Sequence, residues 1–519
     1  MKHGRLDRYT PRIEKLGAAV ILILTMLFMI YLTASAFLQT TDISIADPSG
    51  EYAEIYSDNI FLNLIFVFIF LAALYIFYRH GTEIKLRRLE IALLCWTFIL
   101  GAAFIASVKL RAPWYSDSFY VTYAAQRAAA GDYSAMENYF VRFPFQLGYV
   151  LYSEIFFRVS GTLIPGLPEG YYCLALQGVN LLWLLLCFHA LIRISLYIYS
   201  SIRIQKLTAL LLFFCLPAVL SCTFLYGNIP AFSCGTVAVW MFLAFLNRKR
   251  LKYAIVFAAA MTLAVVLKLN LLIFALAMGI VWVFDVIRTR SVKSLICFIL
   301  ATACVLGLKG VPQSIYEART GKDFGDGIPM IAWMAMGFSE GHAGPGWYKE
   351  DNTVKFFTHN GNDAEATSEH AKQVISERCT EFAADPGEAL RFFSAKLRTQ
   401  WNEPTYESVW INQVQLSYSE KGGLYELFCG RGEQFFNGVM NQFQQLIFFG
   451  MLLSLFELWR RRDMESCLLP LIILGGLHYH LRFEAKSQYA LPMSSQSRSV
   501  SAVLFSIKIP PPPQRFSIR

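Results

Sequence analysis

The sequence predicts an all-α protein: a polytopic transmembrane helical bundle of about 11 spans, with outer loops that carry short helices. Of its 519 residues, 55% are hydrophobic and only 16% are charged, a balance too apolar for a soluble chain of this length. Apolar runs of roughly 20 residues recur along the chain, each long enough for an α-helix to cross hydrocarbon. Basic residues cluster in every second connection between these runs.

The apolar runs give the predicted spans and, from them, a division of the chain. The spans lie at 17–38, 60–78, 89–108, 172–192, 207–225, 229–246, 252–267, 270–287, 293–309, 443–459 and 466–481. The predicted parts are a transmembrane domain at 1–309 with a first large outer loop at 109–171, an outer loop region at 310–442, C-terminal transmembrane helices at 443–492, and a polar, Pro-rich tail at 493–519.

The charges of the connections predict an orientation. Lys2, Arg5 and Arg8 precede the first span, whereas the next connection carries Asp42 and Glu51 without any Lys or Arg. The positive-inside rule therefore predicts a multi-pass protein of the plasma membrane with a cytoplasmic N-terminus, and it places the loops 109–171 and 310–442 outside. Orientation also explains the net charge of +9, so we do not expect a nucleic-acid partner.

Two segments outside the spans have distinct patterns. In the long outer loop, one amphipathic helix should end at the sequence Asp-Pro-Gly at 385–387, and a second should run over 388–400 and stop before Pro404. The tail after about residue 493 is rich in Ser and Arg and ends in a Pro run. We interpret it as a truncated or frame-shifted ending, and we expect it to be disordered without packing onto the bundle.

Six stretches with a common outward placement carry a resemblance to a known family. They are PWYSDSFYVTYAAQRAAAGDYS from residue 113, FPFQLGYVLYSEIFFRV from 143, FLYGNIP at 224–230, LKLN at 267–270, KLRTQWNEP at 396–404 and EAKSQYALP at 484–492. Their order resembles GT-C type glycosyltransferases. The closest branch includes protein O-mannosyltransferases and lipid A aminoarabinose transferases, in particular its Gram-positive bacterial members. The resemblance covers about residues 60–492.

The resemblance implies a reaction and two partners. Members of the family transfer a sugar from a polyprenyl-phosphate carrier to an acceptor outside the membrane. The expected partners are therefore a polyprenyl-phosphate-sugar donor, an extracytoplasmic acceptor in the cell envelope (a glycan, a lipid or a protein), and the membrane lipid itself. An acidic residue in the first large outer loop serves such enzymes as the base.

Asp117 matches the position of that base. An acceptor hydroxyl must lose its proton as it attacks the anomeric carbon, and a carboxylate suits this transfer. The alternative is that Asp117 caps a helix from Phe119 to Ala130 that ends at Gly131. Many members of the family have a second acidic residue where Ser118 stands here, so we name no metal ligand, and a divalent cation remains open as a cofactor.

The candidates for substrate binding lie at outer ends of predicted spans. Lys268 is a cation between two apolar spans; it could bind the leaving phosphate or extend to water. Asn270 belongs to the same LKLN stretch. Gln146 could hold a sugar hydroxyl or anchor an aromatic interfacial segment.

The last predicted span is followed by a second group of candidates. Arg482, Lys486, Gln488 and Tyr489 lie where the family carries a basic and aromatic motif before a proline, and Lys486 is the second candidate for the phosphate. Lys396, in KLRTQWNEP, could grip lipid headgroups.

Other classes of function remain open. A lipid-linked glycan transporter or flippase would place charged residues and broken helices near the membrane midplane, whereas the polar candidates here cluster at outer helix ends. A polysaccharide polymerase or ligase would share the topology and differ mainly in its donor.

Overall fold

The computed structural model describes residues 6–44, 51–81, 83–108, 116–349, 354–416 and 422–501. The start of the first large outer loop at 109–115 and the end of the predicted tail at 502–519 lie outside the described residues. The described part is a bundle of α-helices with one small β-hairpin.

Long apolar helices form the body of the bundle. They are α1 Leu6–Leu38, α2 Ile60–His80, α3 Leu86–Val108, α7 Glu169–Tyr199, α10 Asn228–Arg248, α12 Leu272–Thr289, α13 Val292–Leu308 and α21 Glu433–Arg461. Each of these eight is long and apolar enough to cross a membrane, α12 together with the 3-10 turn before it and α13 together with the helix Val311–Thr320 after it. The prediction of a polytopic, all-α membrane protein is confirmed.

Three of the predicted 11 spans take a different form. The span at 207–225 is a pair of helices, α8 Ile202–Phe213 and α9 Leu216–Leu220 with its 3-10 continuation, bent by 56°. The spans at 252–267 and 466–481 are the shorter helices α11 Leu251–Leu267 and α22 Leu468–Arg482. The described residues therefore contain eight spanning helices, or up to nine if the bent pair is counted as one span.

Short helices fill the connections, as predicted for the outer loops. The connection 109–171, predicted to be the first large outer loop, holds α4 Ser116–Ala129, α5 Asn138–Arg142 and α6 Leu147–Leu163. The region 310–442 holds α14 Val311–Thr320, α15 Met330–Gly337, α16 Lys355–His359, α17 Ala364–Ala384, α18 Pro386–Trp401, α19 Ser408–Leu416 and α20 Gly423–Phe428.

The break between α17 and α18 is confirmed. The Asp385 carboxylate accepts hydrogen bonds from the backbone N–H groups of Gly387 and Glu388, at 2.9 and 3.1 Å, and Pro386 occupies the first turn of α18. This side chain satisfies two N–H groups that a helix start leaves without partners.

The centre of the core is α10, which packs against α7 and α11 and is almost completely buried. α1 packs against α21 on another side. Between α1 and α2 lies the antiparallel hairpin of β1 Gln39–Ser44 and β2 Tyr52–Ser57, whose ends pair Gln39 with Ser57. Asn441 of α21 fixes the base of this hairpin, since its amide donates to the Thr40 hydroxyl at 2.7 Å.

The expectation that the chain after about residue 493 makes no packing contact is wrong for residues 494–497. The helix α23 Leu491–Ser501 packs against α21 and α7, and the side chains of 494–497 are buried. The Gln496 amide donates to the Thr236 hydroxyl of α10 at 3.0 Å, and the Ser494 hydroxyl shares a hydrogen bond with Tyr406. These partners offset the cost of burying polar side chains, which composition alone does not reveal.

Candidate functional site

Asp117 lies in the first turn of α4, which packs against α6. The helix begins at Ser116, so Asp117 is inside the helix rather than before it; the other end has the expected glycine, with Gly131 at φ 84°. The Tyr226 hydroxyl donates a hydrogen bond of 2.8 Å to Asp117 Oδ2. Its position in the first turn places the carboxylate near the positive end of the helix dipole.

Tyr226 comes from the FLYGNIP turn before α10. Gly227 makes that turn with φ 82°, and a Cβ there would come within 2.9 Å of the Tyr149 ring, so no other residue fits easily. The amide of Gln146 donates to the Tyr226 hydroxyl. Gln146, Tyr226 and Asp117 therefore form a chain of hydrogen bonds, each side chain orienting the next.

Lys268 lies in the turn between α11 and the 3-10 turn Leu269–Leu271, and its side chain is buried. Its Nζ is 3.2 Å from the centre of the Tyr226 ring, a close cation–π contact. Burial lowers the pKa of Lys268 to about 7, although the charge of Asp117 acts in the opposite direction. The structure thus brings a carboxylate to the hydroxyl of Tyr226 and an ammonium to the face of its ring.

The loop after α22 completes the cluster. Lys486 Nζ lies 2.5 Å from the Glu51 carboxylate, and the side-chain amide of Gln488 accepts from Asn228 at 2.5 Å. The Tyr489 hydroxyl donates to Glu484 at 3.4 Å. The charge of Asp117 contributes to the raised pKa of both Glu484 and Tyr489, after the larger effect of burial, so this loop lies beside Asp117.

Residues 403–407, at the end of the WNEP stretch and just after it, form hydrogen bonds to this loop. The buried Glu407 carboxylate accepts hydrogen bonds from the Gln488 side chain and backbone at 3.2 and 3.3 Å, and Glu403 accepts from the Ser487 hydroxyl at 2.7 Å. Tyr406 and Glu407 have φ of 52° and 59°, which is rare for residues with a Cβ. Such strained backbone persists where the surroundings hold it, often near functional sites.

The predicted site residues differ in where the structure places them. Asp117, Gln146 and Lys268 surround Tyr226, while Lys486, Gln488 and Tyr489 lie in the adjacent loop. Asn270 sits two residues beyond Lys268, and its buried side-chain oxygen has no hydrogen-bond partner among the described residues. Arg482 is exposed at the end of α22.

Lys486 differs from Lys268 in its electrostatic surroundings. Burial lowers the pKa of Lys486, but the charges of Glu51 and Glu407 outweigh burial and raise this pKa well above its ordinary value. Its ammonium is already engaged by Glu51, with Glu407 at 3.9 Å. A phosphate could reach Lys486 only in competition with these carboxylates.

Sequence reasoning missed several residues of the cluster, namely Tyr226, Asn228, Glu51, Glu403 and Glu407. Tyr226 and Asn228 stand inside the FLYGNIP stretch, where a tyrosine and an asparagine flank a glycine turn at a helix start. Glu51 had no such signal, because it reaches Lys486 from the first outer connection.

Lys396 is also placed differently from expectation. Its buried ammonium donates to the backbone carbonyls of Gly337, Phe483 and Leu481, at 2.5, 2.7 and 3.1 Å. It therefore ties α15 and α18 to the end of α22 and does not face lipid headgroups. Within the described residues, no group of three or more His, Cys, Asp or Glu side chains is arranged to hold a metal ion.

Comparison with known proteins gives a structural similarity. No family model and no curated protein matches the chain. The archaeal oligosaccharyltransferase AglB from Archaeoglobus fulgidus, solved in complex with an inhibitory peptide and a dolichol-phosphate, has 12% sequence identity and a TM-score of 0.38. The match covers 80% of this chain and 50% of that one, so the chain spans about half the length of AglB. With a TM-score below 0.5 this similarity does not establish a common fold.

Proposed function

We propose that this membrane protein is a GT-C type glycosyltransferase that moves a sugar from a polyprenyl-phosphate donor to an extracytoplasmic acceptor, with Asp117 as the general base. The observation that carries the proposal is that Asp117 contacts the hydroxyl of Tyr226 while Lys268 lies over the ring of the same tyrosine. The reaction needs a group that accepts the proton of the acceptor hydroxyl and a cation that stabilises the departing phosphate. Asp117 in the first turn of α4 and Lys268 in the turn after α11 would supply both.

The surrounding residues support a division of roles. Tyr226 holds the Asp117 carboxylate in one orientation, and Gln146 holds Tyr226. Lys268 would accept the phosphate, since no acceptor atom of the described residues hydrogen-bonds its ammonium. Asn270 and Gln488 would contribute polar atoms towards the sugar, and Tyr489 and Lys486 would close the adjoining side of the cluster; Arg482 would meet the headgroup region from its exposed position.

The orientation of the protein is part of the proposal. The basic ends of α2, α10 and α21 lie on the side assigned to the cytoplasm by the positive-inside rule. The opposite ends of these helices lead to the hairpin, to Tyr226 and to the outer helices. The cluster would then face the outside at the membrane surface, where a lipid-linked donor and a water-soluble acceptor meet.

The decisive experiment replaces Asp117 by Asn. Membranes containing the wild-type or variant protein are incubated with a panel of radiolabelled polyprenyl-phosphate hexoses, and transfer into envelope material is counted. Asn keeps the shape of the side chain but cannot take the proton, so we expect a loss of at least about 100-fold. The matched control is Asp363→Asn, because Asp363 caps α17 from an exposed position and Asn caps equally well.

Two results would contradict the proposal. If Asp117→Asn transfers sugar at the wild-type rate, Asp117 is not the base. If the wild-type protein instead moves the intact lipid-linked sugar from one leaflet of a reconstituted vesicle membrane to the other without transferring the sugar, the protein is a flippase.

A further inference from the structure

A cavity of about 830 Å³ lies at the N-terminal end of α3, between α3, α7 and α8. Its volume is within the range of small-molecule binding sites. α3 has 23 residues and is therefore about 34 Å long. Gln126 of α4, the helix that carries Asp117, donates to Cys173 near the start of α7 at 3.3 Å, whereas Arg193 near the end of α7 lines the cavity. The cavity and the proposed catalytic cluster therefore lie towards opposite ends of α7.

The cavity has an excess of positive charge. Four basic side chains line it against two carboxylates: Lys85, Arg87, Arg193 and Lys206, with Glu83 and Glu90. Glu90 is already neutralised, because its carboxylate binds Arg193 at 2.7 Å and His189 at 2.5 Å. The remaining basic groups outnumber the remaining carboxylate, which favours an anionic occupant.

One of the basic side chains is built into the wall of the cavity. Lys206 is only 6% exposed, and its ammonium donates to the Gly81 carbonyl at 3.0 Å. The positive charge of Lys206 therefore lies at the wall of the cavity, where it attracts an anion.

The rest of the lining is apolar and faces outward from the bundle. Ile84, Ile91 and Ile202 line the cavity and remain 43%, 50% and 57% exposed. Because α3 is long and apolar enough to cross a membrane, these side chains would meet hydrocarbon beside the basic groups. An occupant must therefore carry a negative head and an apolar chain.

We propose that this cavity binds the headgroup of an anionic phospholipid, with the phosphate among Lys85, Arg87 and Lys206 and the first part of the acyl chains along the isoleucines. Basic pockets between helices at a membrane surface bind anionic headgroups in this way. The site is independent of the sugar-transfer cluster.

The test measures lipid retention by native mass spectrometry of the purified, full-length protein. Short-chain phosphatidylglycerol and phosphatidylcholine of the same chain length are titrated separately, and the phosphatidylglycerol titration is repeated with excess inorganic phosphate. We expect phosphatidylglycerol to bind well above phosphatidylcholine and to resist displacement by phosphate. The double variant Lys85→Gln/Arg87→Gln should bind about 30-fold more weakly, since each basic side chain near an anionic surface contributes roughly fivefold.

The matched control is Arg250→Gln/Lys252→Gln, which removes two neighbouring exposed cations at the same end of the bundle but away from the cavity. It should bind phosphatidylglycerol as the wild type does. Three results would overturn the proposal: equal loss in both double variants, which means general surface charge; equal binding of the two lipids; or full displacement by inorganic phosphate, which means a site for a soluble anion.

Discussion

The surroundings of Lys268 and of Lys396 show two different ways to bury an ammonium group. Both side chains lie outside the spanning helices, and burial lowers the pKa of each to about 7. Lys396 has three backbone carbonyls around its three N–H donors. Lys268 has an aromatic ring and the nearby charge of Asp117.

The difference in hydrogen bonding indicates which lysine has a structural role and which one could bind a ligand. The donors of Lys396 are fully used by the protein, so this side chain has nothing left to offer a ligand. The donors of Lys268 face no hydrogen-bond acceptor among the described residues, so a phosphate oxygen could take that place. Burying a cation without hydrogen bonds costs free energy. A bound substrate phosphate would supply these hydrogen bonds, and such groups are common at functional sites.

The largest expected effect is on stability, in Lys396→Met. The substitution leaves the carbonyls of Gly337, Leu481 and Phe483 without this donor, and the first of these contacts is buried while the other two are partly buried. An unsatisfied buried acceptor costs about 1–3 kcal/mol, so we expect a total loss of about 3 kcal/mol. Thermal melting of the purified protein in detergent measures the effect. Lys372→Met is the control, because Lys372 is 57% exposed and should change stability by less than about 0.5 kcal/mol. An unchanged melting temperature in Lys396→Met would remove the distinction between the two lysines.

Lys268→Met should produce the opposite pattern. Methionine fills the same space without a buried charge, so the melting temperature should stay the same or rise. A charge-assisted contact to phosphate contributes about 1.5–3 kcal/mol, so kcat/KM for the polyprenyl-phosphate donor should fall about 10- to 100-fold. Donor titration in wild type and variant measures this fall. A destabilised but fully active variant would assign Lys268 to the architecture.

The pH dependence of donor use follows from the lowered pKa of Lys268. Its folded-state pKa of about 7 lies below the ordinary lysine value, so the ammonium is present below pH 7 and is lost as the pH rises through 7. We expect kcat/KM to fall by up to about tenfold per pH unit above pH 7. Lys268→Arg should move this fall to higher pH, because a guanidinium stays charged. If the fall remains near pH 7 in that variant, Glu484, whose pKa is raised to about 7 by burial, is the group that titrates.

The sequence predicts local features of these regions better than their contacts. Helix positions follow from apolar runs. Asp117 and Lys268 could be named because each stands beyond the end of a predicted span, and Gln146 because it interrupts an aromatic run. Glu51 could not be paired with Lys486, since 435 residues separate them and no pattern links the hairpin to the last loop. The carbonyls that accept from Lys396 belong to the backbone of two other segments, so the types of side chain in the sequence do not predict these contacts.

The C-terminal helix α23 also shows that contacts in the fold cannot be predicted from composition. Its Ser and Gln side chains predict exposure, yet residues 494–497 are buried, and Tyr406 and Thr236 provide hydrogen-bond partners for Ser494 and Gln496. Composition reports what a side chain prefers in isolation, whereas burial depends on what the rest of the fold offers.

The smallest expected effect concerns Tyr226, which contacts both charged groups of the proposed site. Tyr226→Phe removes the hydroxyl that donates to Asp117 and accepts from Gln146, but it keeps the ring beneath Lys268. Donor affinity should therefore be unchanged, while turnover falls about threefold to tenfold because a hydrogen bond of about 1 kcal/mol no longer orients the carboxylate. Steady-state kinetics with varied donor separates the two parameters. Tyr226→Leu is the sharper companion, since it removes the ring as well and should also weaken donor binding; equal effects of Phe and Leu on donor affinity would show that the aromatic face does not support Lys268.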